Sequence, residues 1–337
     1  MTDKRPVIGI TMGDPVGIGP EIICMAFSRS RISEDIRPLV LGDAGVLELA
    51  GGYACKSHRI RAVKKPEEAD YKPGLINVLN LSGLDPKIHR WGRPTRETGT
   101  AMISYIEQGA DLAMEGQISA LVTCPINKAS MHLAGGKYPG HTELLARRTG
   151  TEKYAMMMAG KLLKVVLATI HMPLRSVPDS LDTDRIEMLI RLTDKSLKER
   201  FGVVEPVIAV AGLNPHAGED EMFGEEESGV IRPAIARAVN RGINASGPHP
   251  PDTVFYNAAS GAYDAVICMY HDQGLIPFKM LHFRDGVNTT LGLPIIRTSV
   301  DHGTAYDIAG QGAADPGSLI AAIEMAAEHA ARAVFSQ

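Results

Sequence analysis

The chain has 337 residues, of which 45% are hydrophobic and 22% charged, and its formal net charge is −4. This length exceeds that of a usual single domain, so we expect two domains or one large α/β unit. The small negative charge argues against nucleic acid or anionic lipid as a partner, and no apolar run approaches the roughly 18 residues of a membrane span. A small soluble partner is therefore expected.

The cysteines and the amino terminus indicate a reducing compartment. Cys24, Cys55, Cys124 and Cys268 lack zinc-finger or CxxC spacing, and three of them lie within or beside apolar runs. The first residues, MTDKRPVIGITMG, contain no apolar signal-peptide segment. We therefore predict a cytoplasmic protein.

Short apolar runs alternate with amphipathic stretches along the chain, which is typical of strands followed by helices. The runs are continuously apolar, so the strands should be covered on both faces of a mostly parallel or mixed sheet. Strands are predicted at 7–12, 37–42, 75–80, 118–124, 164–170, 206–213, 263–270 and 294–299. Helices are predicted at 20–29, 96–115, 142–149, 184–200, 229–240 and 316–334.

Domain edges are weakly marked in the sequence. The Pro-rich string GPHPPD (247–252) is interpreted as a surface turn rather than a linker. We predict a first α/β domain formed by 1–125 plus about 300–337, and a second α/β domain formed by about 126–299.

The first predicted strand is followed by a glycine-rich turn, GDPVGIGPEI (13–22). Gly13, Gly17 and Gly19 permit a tight turn, and Pro20 suits the first position of a helix. The turn resembles a phosphate cradle, but its spacing is neither GxGxxG nor a P-loop. Two roles stay open, namely ligand contact and a purely structural connection from strand to helix.

Three histidines follow the ends of predicted strands: His171, His216 and His271. The carboxyl ends of parallel strands meet in one crevice, so these side chains can converge there. Three neutral imidazoles with one open position describe a catalytic site for a divalent metal. Taken singly, a histidine in such a loop is more often a hydrogen-bonding structural residue, but three in equivalent positions favour a shared site.

Two further segments carry groups suited to an anion. In YPGHTELLARRTG (138–150), Thr142 is a candidate N-cap with His141 beside it, so free backbone N–H groups would face an anion. Lys279, Asn288 and Arg297 add two cations and an amide donor, a set that suits phosphate or carboxylate. An ordinary capped helix and surface ion pairs are the structural alternatives.

The string SVDHGTAYDIAGQGAADP (299–316) resembles the nucleotide-binding loop of isocitrate and isopropylmalate dehydrogenases. The resemblance implies that Asp307 accepts hydrogen bonds from a ribose diol, and a carboxylate there repels a 2′-phosphate, which favours NAD over NADP. Tyr306, where that superfamily has proline, and Asp315, where it often has asparagine, depart from the pattern. Four residues would line the adenosine: His302, Gly303, Thr304 and Ala305.

Seven motifs together resemble the 4-hydroxythreonine-4-phosphate dehydrogenase family of pyridoxal phosphate synthesis, and they cover essentially the whole chain. The resemblance implies two α/β/α domains with mostly parallel or mixed sheets, like isocitrate and isopropylmalate dehydrogenases, and an active site in the cleft between the domains. The motifs are MGDPVGIGPE, NKASMHLAG, GHTELLA, GLNPHAGE, MYHDQG, DGVNTTLGLPIIRTS and DHGTAYDIAG.

The same resemblance implies the ligand sets. One divalent ion per site, zinc first and cobalt or magnesium as alternatives, would bind to His171, His216 and His271. The protein would be a homodimer whose sites take ligands from both subunits, with the second domain carrying the dimer contacts, so the imidazoles need not converge within one chain. Substrate contacts would come from His141, Thr142, Lys279, Asn288 and Arg297.

The expected reaction is oxidation by NAD of the β-hydroxyl of 4-phosphooxy-L-threonine, followed by decarboxylation to 3-amino-2-oxopropyl phosphate. The metal would lower the pKa of the alcohol and stabilise the charge formed on decarboxylation. Lys128 and Asp272 are candidates for proton transfer or for orienting a ligand, and either could be structural.

Competing hypotheses stay open. The closest is a 4-phospho-D-threonate or D-erythronate dehydrogenase of the same family, in which a hydroxyl replaces the amine of the substrate. Three histidines and a carboxylate could instead serve a zinc hydrolase, which would not need the loop at Asp307. A metabolite-binding protein on a retired enzyme fold is a third alternative.

Overall fold

The computed structural model describes residues 5–29, 32–54, 58–87 and 89–335, so Cys55 lies outside the described residues. The strands are β1 (Val7–Thr11), β2 (Arg37–Gly42), β3 (Arg59–Val63), β4 (Leu75–Asn80), β5 (Ala120–Thr123), β6 (Ala155–Ala159), β7 (Lys164–Leu167), β8 (Ile208–Ala211), β9 (Ala245–His249), β10 (Ala265–Cys268), β11 (Val287–Leu291) and β12 (Arg297–Val300). The α-helices are α1 (Gly19–Arg29), α2 (Ile32–Asp35), α3 (Ala44–Ala54), α4 (Arg96–Met114), α5 (Lys128–Leu133), α6 (His141–Arg148), α7 (Val177–Ser180), α8 (Thr183–Glu199), α9 (Arg232–Val239), α10 (Val254–Ala259), α11 (His271–His282) and α12 (Gly317–Phe335).

The chain folds into two compact units. Unit 1 comprises Met1–Glu152 with Leu293–Val334, and unit 2 comprises Lys153–Gly292 with Phe335–Gln337. The edge that the sequence suggested near residue 125 therefore lies after 152. The reason is that α5 and α6 pack against α4 of unit 1, and Arg148 on α6 forms a 2.6 Å ion pair with Asp111 on α4.

In the described part of unit 1, six parallel strands follow the order β3-β4-β2-β1-β5-β12. Its central strands are short apolar runs that are buried along their whole length, as β5 illustrates. Such strands are covered on both faces, here in part by α4, which contacts β1, β2 and β5. The carboxyl ends of β1, β5 and β12 lead into the glycine-rich turn, the segment before α5, and the loop 301–316.

Unit 2 has a mixed arrangement in the order β11-β6-β7-β10-β8-β9. The pairs β11/β6 and β6/β7 are antiparallel, whereas β7/β10, β10/β8 and β8/β9 are parallel. The predicted combination of mostly parallel and mixed pairing is confirmed. The three strands that precede the histidines, β7, β8 and β10, are parallel neighbours, so their carboxyl ends lie at one edge.

All eight predicted strands and all six predicted helices exist, although several are shorter than expected. The sequence did not reveal β3, β6, β9 and β11, which carry arginines, a methionine run, Gly-Pro and threonines instead of a branched apolar run. The interpretation of GPHPPD as a turn is wrong for its first three residues, which belong to β9 at the end of the strand order.

Within the described ranges, no helix combines the length and the hydropathy that a membrane span requires. Cys24, Cys124 and Cys268 are buried and free of disulfides. Burial raises the pKa of the Cys124 and Cys268 thiols, so both stay protonated at neutral pH.

Candidate functional site

Among the described residues of unit 1, Arg297 is the largest fully buried side chain, with 1% of its surface exposed. From β12 it donates to the hydroxyl of Thr123 on β5, at 3.2 Å from Nε and 2.8 Å from Nη2. Burial lowers the pKa of Arg297 to about 10, while the negative charge of Glu143 acts in the opposite direction. The guanidinium therefore stays charged at neutral pH, and a buried cation of this kind is stabilised by an anionic ligand.

His141 is the first residue of α6, whose N-cap is Gly140. The helix thus begins one residue earlier than predicted, and the prediction of Thr142 as N-cap is wrong because Thr142 is already helical. Burial, and secondarily the charge of Arg297, hold the pKa of His141 well below its usual value. Its Nε2 is buried and has no hydrogen-bond partner among the described residues, so a neutral imidazole nitrogen is available to a ligand.

Lys128 is exposed and begins α5, directly after the N-cap Asn127, whose side chain accepts from the Ser130 N–H at 3.0 Å. The cap fixes the backbone at Lys128, whose side chain is exposed to solvent. That position is compatible with proton transfer, and it is equally compatible with a surface lysine.

The loop that resembles a nucleotide-binding segment is held tightly in unit 1. Thr304 is buried, Ala305 is left-handed with φ 40°, and the Tyr306 hydroxyl donates to Asp14 at 2.6 Å. Asp307 is exposed, and its backbone carbonyl accepts from the Gln311 side chain at 2.8 Å. A fixed backbone with a carboxylate in solvent is what recognition of a diol requires.

A small cavity beside the glycine-rich turn was not anticipated from the sequence. It has a volume of about 140 Å³ and includes Val16, His89, Arg90 and Arg93 in its lining. Burial lowers the pKa of His89, and its buried Nε2 has no partner within the described ranges. The run HRWGR, with three basic residues in five, was the signal that could have pointed to it.

Two of the three predicted metal ligands lie together in unit 2. The ring centroids of His171 and His271 are 5.6 Å apart, after the parallel neighbours β7 and β10. His271 begins α11, and its Nδ1 lies 2.6 Å from Oδ1 of Asp272. If Nδ1 carries the proton that Asp272 accepts, Nε2 of His271 is left as the ligating atom.

His216 occupies a strained loop after β8. It has φ 54°, and the left-handed conformation recurs at Ala217, Glu219, Asp220 and Glu221. Each such non-glycine residue costs about 1 kcal/mol or more, and strain of this kind is concentrated at functional sites. The described part of one chain contains no group of three His, Cys, Asp or Glu side chains that could hold a metal, so His216 does not complete a site with His171 and His271 there.

Glu227 holds the start of this strained loop. Its buried carboxylate accepts from the backbone N–H groups of Leu213 and Asn214, both at 2.7 Å, and from the Asn214 side chain at 3.0 Å. Glu226 accepts a second hydrogen bond from the same amide at 2.7 Å. These bonds fix the loop and thereby the position of His216.

The remaining predicted substrate residues of unit 2 differ in environment. Asn288 lies on β11, with Nδ2 3.4 Å from Sδ of Met156 and with a buried Oδ1 that has no partner among the described residues. Lys279 lies in the last turn of α11, with Nζ 6.0 Å from the ring centroid of Phe283. Asn288 therefore offers a polar atom to a ligand, and Lys279 offers a partly exposed charge.

Comparison with known proteins agrees with the family predicted from the motifs. A family model described as pyridoxal phosphate biosynthetic protein PdxA matches residues 34–326. A 4-hydroxythreonine-4-phosphate dehydrogenase of Desulforapulum autotrophicum is 60% identical over 97% of this chain and 96% of its own length. A D-threonate 4-phosphate dehydrogenase of Cupriavidus necator is 44% identical over 98% of this chain and 99% of its own length.

Solved structures give the same result. The crystal structure of a 4-hydroxythreonine-4-phosphate dehydrogenase from Klebsiella pneumoniae has a TM-score of 0.90 at 44% identity and covers 98% of this chain and 99% of that one. A β-decarboxylating dehydrogenase of Thermococcus kodakarensis, with a TM-score of 0.51, 14% identity and coverage of 95% and 82%, shows the fold alone. The predicted fold class and the predicted family are confirmed, and the chain belongs to the PdxA family.

Proposed function

We propose that the protein is a dehydrogenase that uses NAD to oxidise the β-hydroxyl of 4-phosphooxy-L-threonine and decarboxylates the product to 3-amino-2-oxopropyl phosphate. Within the family that the comparisons establish, the single observation that carries this proposal is the buried Arg297 beside a neutral His141 in unit 1. A buried cation with an adjacent unpaired imidazole nitrogen is suited to an anionic group of a small substrate.

The anionic group is recognised by charge and by neutral donors. Arg297 stays protonated because its pKa of about 10 lies above neutral pH. His141 stays uncharged, so Nε2 can donate to or accept from the substrate without a change of protonation. Binding energy from this remote group orients the hydroxyl that reacts. Thr142, Lys279 and Asn288 are proposed as further substrate contacts, and the unpaired Oδ1 of Asn288 supports its assignment.

A dehydrogenase of this family implies a nicotinamide cofactor, and we propose NAD rather than NADP. The exposed Asp307 would accept hydrogen bonds from the ribose diol and would repel a 2′-phosphate. Thr304 and Ala305 supply the backbone of the same loop, and His302 and Gly303 precede them. The fixed Tyr306 supports this assignment because it limits movement of its neighbour Asp307.

We also propose one divalent metal ion per site, with zinc first and cobalt or magnesium as alternatives. The donor set fits such an ion because His171 and His271 are neighbours and Asp272 can orient His271. When bound, a metal of this kind supplies a Lewis acid that lowers the pKa of the substrate hydroxyl and holds the charge formed on decarboxylation. Asp272 is thus proposed as an orienting residue, and Lys128 as a candidate for proton transfer from its exposed position.

The third ligand leads us to propose a homodimer in which His216 comes from a second copy of the chain. Unit 2 carries large apolar side chains in solvent, which is unusual for a monomer and typical of an interface. These side chains are Met222 at 73% exposed, Ile276 at 60%, Met280 at 82% and Phe283 at 77%. Cytoplasmic action belongs to the same proposal, and the burial of Cys24, Cys124 and Cys268 without disulfides supports it.

A second candidate, oxidation of 4-phospho-D-threonate, is favoured by one observation. The relative with that name in Cupriavidus necator matches along the whole chain, although at 44% identity compared with 60% for the relative from Desulforapulum autotrophicum. The two substrates share the phosphate and differ in an amine or a hydroxyl, so Arg297 and His141 would serve either one. A zinc hydrolase is disfavoured because it would leave the loop at Asp307 without a role.

The deciding experiment is a spectrophotometric assay of NADH formation on 4-phosphooxy-L-threonine and on 4-phospho-D-threonate, each with and without a metal chelator. We expect NADH from the first substrate at a higher kcat/KM than from the second, and loss of both rates with chelator. A higher kcat/KM on the threonate would establish the second candidate. Product release without any NADH signal would contradict both and support a hydrolase.

A further inference from the structure

We propose that the glycine-rich turn and the first turn of α1 fix the conformation of the proposed dinucleotide-binding loop (299–316). Asp14 and Glu21 are then positioning residues for the cofactor. This inference rests on the proposed function, since it concerns the same nucleotide site. It also decides between the two roles that the sequence left open for the turn. The carrying observations are hydrogen bonds within unit 1 between residues almost 300 positions apart.

Asp14 holds one side of the loop. It is completely buried, and its carboxylate accepts from the Tyr306 hydroxyl at 2.6 Å and from the Val16 N–H at 3.1 Å. Burial raises the pKa of Asp14, and the hydrogen bond from Tyr306 acts against that rise. The hydrogen bond from Tyr306 offsets part of the free-energy cost of burying the Asp14 carboxylate.

Glu21 holds the other side of the loop. It is also completely buried, and one carboxylate accepts from the backbone N–H groups of Gly310 at 3.0 Å, Ala314 at 3.3 Å and Gly312 at 3.4 Å. The Tyr53 hydroxyl is a fourth donor at 3.3 Å. Three donors at alternate positions of one segment bend the backbone around a single anion, so the curvature of the loop depends on Glu21.

The space between turn and loop excludes larger residues. The Ile18 N–H donates to the Thr304 carbonyl at 3.1 Å, and a Cβ added at Gly17 would lie 3.1 Å from Cβ of Thr304. Gly310 has φ +81°, and a Cβ there would overlap the ring of Trp91. Gly310 is therefore required for this close approach, whereas a larger residue at Gly17 would displace Thr304 by a few tenths of an ångström. Both glycines are explained by the packing of the loop, without contact with a phosphate.

A phosphate on the turn itself is disfavoured by the same bonds. The N–H groups of Val16, Gly17 and Ile18 already donate to Asp14 Oδ1, the Asp14 carbonyl and the Thr304 carbonyl. A phosphate cradle needs such N–H groups free. Two buried carboxylates close by would also repel a phosphate. The turn therefore shapes the loop and leaves cofactor contact to the loop.

The consequence concerns Asp307, which lies between the two anchors. Its neighbour Tyr306 is bonded to Asp14, and Gly310, three residues later, is bonded to Glu21, while its own side chain is exposed. A loop held at both ends loses little conformational freedom when the ribose binds. Releasing either anchor should weaken dinucleotide binding without altering the anion site at Arg297.

The test is NADH binding, followed by fluorescence, to the whole protein and to the variants Glu21→Gln and Tyr306→Phe, together with steady-state kinetics. We expect Glu21→Gln to raise the Kd for NADH about tenfold, and Tyr306→Phe to raise it about threefold. The KM for NAD should rise in parallel, while kcat and the KM for the phosphorylated substrate stay within about twofold. Glu187→Gln is the matched control, because it replaces a buried carboxylate of unit 2 that accepts a hydrogen bond from Arg241. It should leave the Kd for NADH unchanged.

Three outcomes overturn the inference. A Kd for NADH that is unchanged in both variants, with normal binding by the unaltered protein, removes this inference and leaves the proposed function standing. A fall in kcat together with comparable rises in the KM for NAD and the KM for the phosphorylated substrate would show a general structural defect. If Glu21→Gln does not fold, Tyr306→Phe decides alone, since it removes one hydroxyl. Failure of the unaltered protein to bind any dinucleotide removes the proposed function as well.

Discussion

The two units differ in how their polar functional groups are buried and held. In unit 1, Asp14, Glu21 and Arg297 are fully buried, and the hydrogen bonds that hold them come from the same unit. In unit 2, His171 is exposed, and His216 lies on a strained loop and completes no metal group within the described part of one chain. Unit 1 therefore holds its buried groups through its own hydrogen bonds, whereas the three imidazoles of unit 2 form no complete metal group within the described part of one chain.

The largest effect is expected from loss of His216. His216→Ala should reduce turnover by roughly 10³-fold or more, since a first ligand of a catalytic metal is removed, and should lower the bound metal per chain. Metal content by elemental analysis and NADH formation would be measured together. His58→Ala is the matched control, because this histidine belongs to unit 1, where its ring centroid lies 6.3 Å from that of Phe27, whereas all three predicted ligands belong to unit 2. Full metal content in the His216 variant would remove it from the site.

Replacement of the buried cation in unit 1 should have the next largest effect. Arg297→Met is expected to lower kcat/KM by about 10²-fold to 10³-fold, because a charge-assisted contact with the substrate anion is lost. Arg200→Met is the matched control, since Arg200 lies in unit 2 and donates to the Thr290 carbonyl at 3.1 Å. Equal losses of activity in both variants would mean that Arg297 acts through stability alone.

Removing the orienting carboxylate of unit 2 should have a smaller effect. Asp272→Asn is expected to weaken metal binding by about 10-fold to 100-fold, because His271 loses the partner that fixes its ring and tautomer. Competition with a chromophoric chelator would give the affinity. Asp285→Asn, next to His282 at 3.2 Å, is the control with the same pairing outside the predicted site. An unchanged affinity in the Asp272 variant would show that the 2.6 Å contact does not orient a ligand.

The smallest effect is expected on the pH dependence of stability, through His141 in unit 1. The pKa of His141 is lowered in the folded state from its ordinary 6.5, so below pH 6.5 the unfolded chain binds a proton that the folded chain does not. Stability should therefore fall as the pH drops from 7 to 5, with His141 contributing up to about 1.4 kcal/mol per pH unit. Thermal unfolding of His141→Gln should show a shallower acid limb than the unaltered protein. Identical slopes would place His141 in contact with solvent.

The sequence was sufficient to predict the strands that lead to the candidate metal site and the histidine that follows each of them. The apolar runs of β7, β8 and β10 placed His171, His216 and His271 at one sheet edge. Helix α11, which begins at His271, was missed because Gly274 and Pro277 give it low helix propensity. The left-handed conformation around His216 could not be predicted either, since four of the five non-glycine residues that share it are neither asparagine nor aspartate.

The buried carboxylates show a different limit of sequence reasoning. Glu21 lies in the first turn of α1, where an acidic residue is ordinarily explained by the helix dipole. Its actual partners are Gly310, Gly312 and Ala314, which no local pattern connects to it. Contacts between residues so far apart depend on the order of β1, β5 and β12 in unit 1, and strand order is not encoded in any single motif.

The most direct test of the contrast between the units is subunit complementation. His216→Ala and His271→Ala, each inactive alone, would be mixed in equal amounts under conditions that exchange subunits, and NADH formation on 4-phosphooxy-L-threonine would be measured. If His216 is supplied by a second copy, half of the dimers are mixed and each has one intact site, so activity should recover to about a quarter of the unaltered value. No recovery, with exchange verified by mass spectrometry, would contradict the account, because His216 and His271 would then serve the same site from the same chain.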